Sequence, residues 1–434
     1  MLIQGLSGIM LYDIIIVGAG IAGLRTAIEA KRINKNLKIL ILEKYKKEGG
    51  RIDTVHTTVN HRKIQFEAGA GRISEKHTTL LKLIRHYGLH VHKMSDETGW
   101  RKYGTSETMP NNFNELWTDL CKQFDQLPAE IKRKKTLRDL AIEVLGVDLA
   151  KQMLDTYGYR AEVEVFNAEA AIDLFTSINE GFLYLVEGFS HLIEKMVADI
   201  TKQHVEIKHN IAVNRIDILK SGHYQVAAIT KQNKYHTYEA KRVVLAVHRN
   251  ALERIYPFSP EHPLMKATVM EPLMRIYSVY KDASWFPKTK VVTDSALRYI
   301  IPINQEKGLI MSSYLDARDI ELWRDLWLKT RHDDLVNKIH NETCALFPEK
   351  DIEKPIYVSP QLWADGCTYW LQDIDYKHLS EQALQPYPTT HPKMHIVGES
   401  FSLKQQWIEG ALEHADSLIA LIGDDLKEHN TSKI

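Results

Sequence analysis

Cysteine is scarce: Cys121, Cys344 and Cys367 are the only three among 434 residues. Three thiols make no disulfide framework, and a reducing compartment, the cytoplasm by default, is the expectation. Net charge is absent as well. Fifty-six basic side chains balance 56 acidic ones, which indicates no long-range attraction to nucleic acid or to an anionic membrane. The basic run Lys132-Arg133-Lys134-Lys135 reads as solvated helix ends. No apolar run reaches the roughly 18 residues that a membrane helix needs. The 20 histidines are scattered without metal-ligand spacing. Residues 1–9 are apolar but lack a basic start and read as a short extension, because cleavage near residue 20 would destroy the glycine pattern described next.

What is present is an ordinary globular composition, 44% apolar and 26% charged, in a chain too long for one core. Asp13-Ile14-Ile15-Ile16-Val17 is a β-branched run without polar alternation, as a buried parallel strand requires. Gly18-Ala19-Gly20-Ile21-Ala22-Gly23 follows, then a helical pattern through Lys31, then a second buried strand, Lys38 to Leu42, ending in Glu43. Gly18 permits a tight turn, Gly20 lets the backbone approach a pyrophosphate, and Gly23 lets the helix pack on the sheet. The helix start offers free N–H groups and partial positive charge to phosphate. Glu43 is placed to accept from both ribose hydroxyls. Strand, turn, helix and terminal acid together predict a dinucleotide site.

Gly49-Gly50-Arg51 supplies a second glycine pair with a guanidinium for the same diphosphate. Near the C-terminus, Met394 to Gly398 reads as a buried strand entering the loop Gly398-Glu399-Ser400, and a last helix is predicted from about Trp407 to Leu421. Glu399 is a candidate for a ribityl or phosphate-linked hydroxyl, and the helix start at Trp407 and Ile408 for a flavin carbonyl. Residues 113–180 form a predicted helical insert, residues 273–315 alternate as short strands, and residues 318–347 return to helix.

With these segments the chain resembles the flavin-containing amine oxidase family of monoamine, polyamine and L-amino-acid oxidases. The resemblance runs from Gly18 through Glu43, Gly50-Arg51 and Glu67-Ala68-Gly69-Ala70 to Gly398-Glu399 and Gln406-Trp407-Ile408-Glu409-Gly410-Ala411. It implies FAD as cofactor, with Val213 beside the adenine. It implies an α/β fold: a GR-type FAD-binding Rossmann-like domain from 10–85, 185–270 and 390–425, interleaved with a mixed-sheet and helical substrate domain from 86–184 and 271–389. Residues 1–9 and 426–434 would be tails.

Within the family, Gly69-Ala70-Gly71-Arg72-Ile73-Ser74 is similar to the stretch where L-amino-acid oxidases place an arginine on the substrate carboxylate. A guanidinium fork matches a carboxylate. The other reading of Arg72, with Gly71, is a contact to the flavin phosphate or to a structural acid. Trp407 matches the aromatic wall beside the flavin, and Tyr369 is the candidate for the opposite wall. Cys367 stands where monoamine oxidases carry a covalent flavin link, but Thr368 follows it, a pattern closer to non-covalent relatives. Arg275 falls where the family usually places a lysine near the flavin. An arginine cannot serve there as a neutral base, which leaves open a dehydrogenase, a different substrate or an inactive relative.

The expected reaction is oxidation of the C–N bond of an amine, most naturally an L-amino acid, by hydride transfer to FAD. Imine hydrolysis follows, and dioxygen yields hydrogen peroxide. A polyamine or monoamine oxidase, a desaturase resembling protoporphyrinogen oxidase, and a non-catalytic FAD-bound interaction protein are the alternatives. The expected partners are the amine and dioxygen, with no nucleic acid, membrane or metal, and a homodimer left open. Ser432-Lys433-Ile434 comes close to a peroxisomal address.

Overall fold

The computed structural model describes residues 10–95, 97–110, 120–178 and 181–428. The N-terminal extension, the start of the helical insert and the Ser432-Lys433-Ile434 terminus lie outside the described residues.

One seven-stranded sheet is built around Leu11–Val17. This strand pairs in parallel with Ile39–Leu42 on one side and with Tyr235–Leu245 on the other. Glu206–Lys208 extends the parallel set beyond Ile39–Leu42, and Met394–Ile396 joins it beside Val243–Leu245. The first half of Tyr235–Leu245 instead pairs antiparallel with Tyr224–Thr230, which pairs with Ile211–Ile218. Ile14 to Val17 and all of Ile39–Leu42 are buried, because one face lies under helices and the other joins a core that includes Ile211–Ile218 and Tyr224–Thr230. The helix Ile21–Ile33 packs on Phe189–Lys202 and on the last helix, Ile408–Glu428. Arg25 clamps Asp416 of that last helix with two hydrogen bonds of 2.7 and 3.0 Å.

The last helix runs beyond the Leu421 expected for its end. Ile422 and Leu426 are each 3% exposed, so the continuation is part of the core rather than a tail. Asp425 pairs at 2.8 Å with Arg242 of the sheet, and Asn34 donates to the Leu426 carbonyl at 2.9 Å.

A second seven-stranded sheet runs in the order Tyr357–Trp370, Thr268–Val279, Leu309–Asp316, Tyr299–Asn304, Lys290–Thr293, Thr98–Arg101, Thr108–Pro110. Its period of two sorts the side chains. Met274 and Ile276 face a core with Trp323, Leu335 and Ile339 of the helices Glu321–Lys329 and His332–Leu346. Leu273 and Tyr277 face the opposite way, toward Tyr159, Tyr314 and the hairpin Thr54–Val59/Arg62–Glu67. Arg275 lies between them on that second face. The helical insert contributes Leu137–Leu145, Val147–Asp155, Ala161–Glu164 and Ala168–Ile178, whose buried side chains merge with the core of the first sheet.

Candidate active site

The glycine turn is open where a diphosphate would lie and closed everywhere else. Gly18 has φ +102°, and a β-carbon on it would sit 2.6 Å from the Ala246 carbonyl oxygen. A β-carbon on Gly23 would sit 2.2 Å from the Gly18 carbonyl oxygen. At Gly20 the same atom would meet nothing within 4 Å. Gly20 caps the helix Ile21–Ile33 with no side-chain hydrogen bond and no acid in the first turn, so the helix start is left free for an anion. Glu43 is 5% exposed and accepts from the amides of Ala19 and Tyr45 at 2.7 and 2.8 Å. Each carboxylate oxygen keeps acceptor capacity for a hydroxyl. The amide of Ile211 donates to the Glu43 carbonyl at 2.9 Å, which brings the strand carrying Val213 alongside.

The second glycine pair lies on the first. The Gly49 amide donates to the Ala19 carbonyl at 3.0 Å, and Gly50 adopts φ +61°. Arg51 and Glu399, each read separately against the cofactor, meet each other at 2.6 Å. Arg51 also donates to the Gly366 carbonyl at 2.9 Å. Burial works against the Arg51 charge, but Glu399, with Cys367 and Asp365 beside it, raises the pKa overall. Glu399 further accepts from the amides of Gln406 at 2.8 Å and Thr368 at 3.3 Å. The loop after Gly398 (φ +134°, with open space at its β-position) is thereby tied to both sheets.

Beside this junction a cavity is bordered by Gly71, Arg72, Tyr159, Glu162, Arg275, Tyr314, Asp316, Cys367, Tyr369, Gln406, Trp407 and Ile408. It brings together Arg72, Arg275, Tyr369 and Trp407, residues far apart in the chain. Strand alternation explains why Cys367 and Tyr369 reach it. Thr368 between them turns the other way, its hydroxyl 2.9 Å from that of Ser400. The Cys367 thiol is pushed up to about 12, by burial first and then by the Glu399 carboxylate. A thiol held protonated is a poor nucleophile for a covalent flavin link.

The segment Glu67–Gly71 is strapped in place by the second sheet. Trp363 donates to the Ala68 carbonyl at 2.7 Å and Tyr277 to the Glu67 carbonyl at 2.7 Å. Arg275 donates to the carbonyls of Glu67, at 3.0 Å, and Gly69, and to the Tyr314 hydroxyl at 2.9 Å. All three contacts hold the guanidinium still. Burial opposes its charge, but Tyr314 and Tyr277 carry its pKa above the ordinary value, so it takes up no proton as a base.

Arg72 is different. Its guanidinium lies 5.2 to 5.8 Å from the ring centres of Phe182, Tyr159, Tyr314 and Trp407. Among the described residues it has no ion pair and no hydrogen bond. Burial works against its charge, yet Tyr159 and the other surrounding phenols raise its pKa overall. Trp407 is nearly parallel to Phe182 (ring centres 6.0 Å apart) and edge-on to His77 at 4.9 Å. Burial and then Lys404 pull the His77 imidazole down to about 3, which keeps it neutral.

Two acids in this cavity escaped the sequence reading. Glu162 accepts from the Tyr157 hydroxyl, and burial lifts it to about 7. Asp316 accepts from the amides of Arg160 and Ala161 at 2.8 and 3.0 Å, and burial lifts it to about 6. Neither sits in a local motif, and only the packing of the insert against the second sheet joins them to Arg72.

The residues present fit a flavin dinucleotide. The free space at Gly20 and Gly398 forms a cradle, and the side-chain nitrogens of Gln406 and Trp407, at the start of the last helix, are buried without a partner among the described residues. Among the described residues no helix is long and apolar enough to cross a membrane.

Comparison with known proteins agrees. Horse flavin-containing amine oxidase A (Equus caballus) is 21% identical over 64% of this chain and 58% of its own length. The Danio rerio flavin-containing amine oxidase is 22% identical over 64% of this chain and 58% of its own. The chain thus spans just under three fifths of the curated relatives it matches. Wild-type putrescine oxidase bound to putrescine shares the fold, with a TM-score of 0.72 at 16% identity over 95% of this chain and 99% of that one. A redesigned putrescine oxidase gives 0.74 at 15% identity over 97% and 99%. The model of the flavin containing amine oxidoreductase family matches residues 21–417, so the chain belongs to that family and its cofactor is FAD.

Proposed function

We propose that this protein oxidises the C–N bond of an amine that carries a carboxylate, with an L-amino acid as the substrate class. The observation that carries this reading is Arg72. It is a guanidinium with no ion pair among the described residues, ringed by aromatic side chains, on the same cavity as Trp407. A planar fork of donors left open in such a place suits a carboxylate. FAD, when bound, supplies the hydride acceptor. Gly18, Gly20, Gly23, Glu43, Gly50 and Val213 would hold its dinucleotide half, with Arg51 and Glu399 bracing the loops around it and Gly71, Gly398 and Ile408 presenting backbone to the ring end.

The chain's own task is then orientation and exclusion of water. Arg72 fixes the carboxylate. Trp407 and Tyr369 wall the reacting carbon, and Arg275, immobilised and charged, offers positive potential without accepting a proton. No cavity side chain is assigned as general base, because the amine enters already neutral. The cavity measures about 60 Å³ and is bordered by aromatic and charged groups, which suits a small polar amine better than a wide apolar macrocycle.

A second reading, a diamine without a carboxylate, is favoured by Glu162, whose acid lies on the same cavity. Anaerobic mixing of the yellow protein with L-amino acids and, separately, with putrescine tests the two. Bleaching by amino acids is expected, and it should fall about 100-fold in kcat/KM when Arg72→Gln removes the charged fork. Bleaching by putrescine alone would reject the carboxylate role.

A further inference from the structure

The charged groups around the cavity are not equally committed. Arg275 is held by two carbonyls and the Tyr314 hydroxyl, and Asp316 by two backbone amides. Arg72 has no hydrogen bond or ion pair among the described residues. Glu162 accepts from Tyr157 with one oxygen, while its other oxygen makes no hydrogen bond among the described residues. One cation and one acid with open valence therefore border the same small space. A further polar atom there is also unspent. Among the described residues the Tyr159 hydroxyl is buried without a hydrogen-bond partner, on a residue 8% exposed that borders the same cavity.

The reacting amine is not the natural mate of Glu162. Hydride loss from its carbon requires a neutral nitrogen, and a carboxylate beside that nitrogen would hold it protonated. An acid in this cavity is better matched to a second, permanently protonated nitrogen. The phenol of Tyr159 can accept from that same ammonium, and the faces of the surrounding tyrosines favour a cation.

We infer that the substrate is a diamino monocarboxylate, an L-amino acid whose side chain ends in an ammonium, with Arg72 taking the carboxylate and Glu162 with Tyr159 taking the distal cation. This rests on the amino-acid reading above and narrows it. Glu162 is then a specificity-determining residue. It chooses among amino acids and leaves the flavin alone.

The test uses the purified holoprotein and ligand pairs that differ only in the distal nitrogen. Flavin bleaching under anaerobic conditions is followed with L-lysine and with L-norleucine. Perturbation of the flavin spectrum is followed with 6-aminohexanoate and with hexanoate, which lack the oxidisable α-amine. One charge-assisted contact predicts at least about tenfold tighter half-saturation for the aminated member of each pair. Glu162→Gln should bring each pair to within about twofold while the flavin content and spectrum stay as in wild type, and Glu162→Asp should restore part of the preference. Should Glu162→Gln fail to fold, the two ligand pairs on the wild-type protein still decide. Bleaching by norleucine as readily as by lysine would overturn the distal-cation site and leave the amino-acid reading standing. Bleaching by putrescine with neither amino acid active would overturn both.

Discussion

Gly20 and Gly23 belong to one turn but answer to different masters, the ligand and the fold. A side chain at Gly20 meets empty space, whereas one at Gly23 drives into the Gly18 carbonyl. Gly20→Asp should therefore leave the apoprotein as stable as before, or slightly more so, because aspartate is a favoured N-cap. Its carboxylate would at the same time repel a diphosphate, so the protein should purify colourless. Gly23→Ala should cost about 2 kcal/mol of stability through overpacking. The ratio of flavin to protein absorbance, read beside a urea titration, separates the two. A yellow Gly20→Asp protein would remove the pyrophosphate from this turn. The tight turn at Gly18 and the close packing at Gly23 were legible in the sequence because strand, turn and helix are contiguous and each glycine's steric duty is local. Glu162 and Asp316 were not legible. Nothing near them in the chain marks them, and only tertiary packing sets them across from Arg72.

At the scale of elements, periodicity carried the parallel strands and most helices, and turn chemistry decided what was missed. The hairpin Thr54–Val59/Arg62–Glu67 turns through Asn60-His61, both at positive φ (45° and 64°). A histidine in place of the usual glycine hides that turn. The long strand Tyr357–Trp370 runs through Pro360 and Gly366, and Gly366 serves where its partner strand Thr268–Val279 crowds so close that a β-carbon would be 2.8 Å from Leu273. The strand Met394–Ile396 shows how an element can store pH dependence. His395 is fully buried, its Nδ1 2.6 Å from the Leu384 carbonyl and its Nε2 2.5 Å from Arg242. Burial first, and then Arg242, pull it down to about 4 from 6.5. Below pH 6.5 the unfolded chain takes up a proton that the folded chain refuses. The stability His395 contributes is thus whole above pH 6.5 and is lost as pH falls toward 4, up to about 3 kcal/mol. Urea titrations at pH 7.5 and pH 5 should show this loss, and His395→Gln should reduce it. An unchanged slope with pH would assign the acid sensitivity elsewhere.

For the whole molecule, the site exists only where the two sheets meet, and Glu399 is the fastening. It receives Arg51 from the second glycine turn, Thr368 from the substrate-side strand and Gln406 from the start of the last helix. Glu399→Ala leaves a half-buried guanidinium without its anion and should cost about 3 kcal/mol. Because the loops around the cofactor loosen with it, bound flavin should dissociate at lower denaturant than the transition seen by far-UV circular dichroism. Coincident curves and an unshifted midpoint would show the junction to be dispensable. The same discontinuity has a consequence for how each copy comes into being. The phosphate turn is synthesised well before the strand Met394–Ile396 that joins its sheet and the wall at Trp407. While the ribosome is still reading, the edge of Tyr235–Leu245 awaits its neighbour, exposed to other nascent chains. A growing chain therefore holds an unfinished cradle until that strand and the last helix have followed, so capture of the cofactor waits on the joining of segments far apart in the sequence.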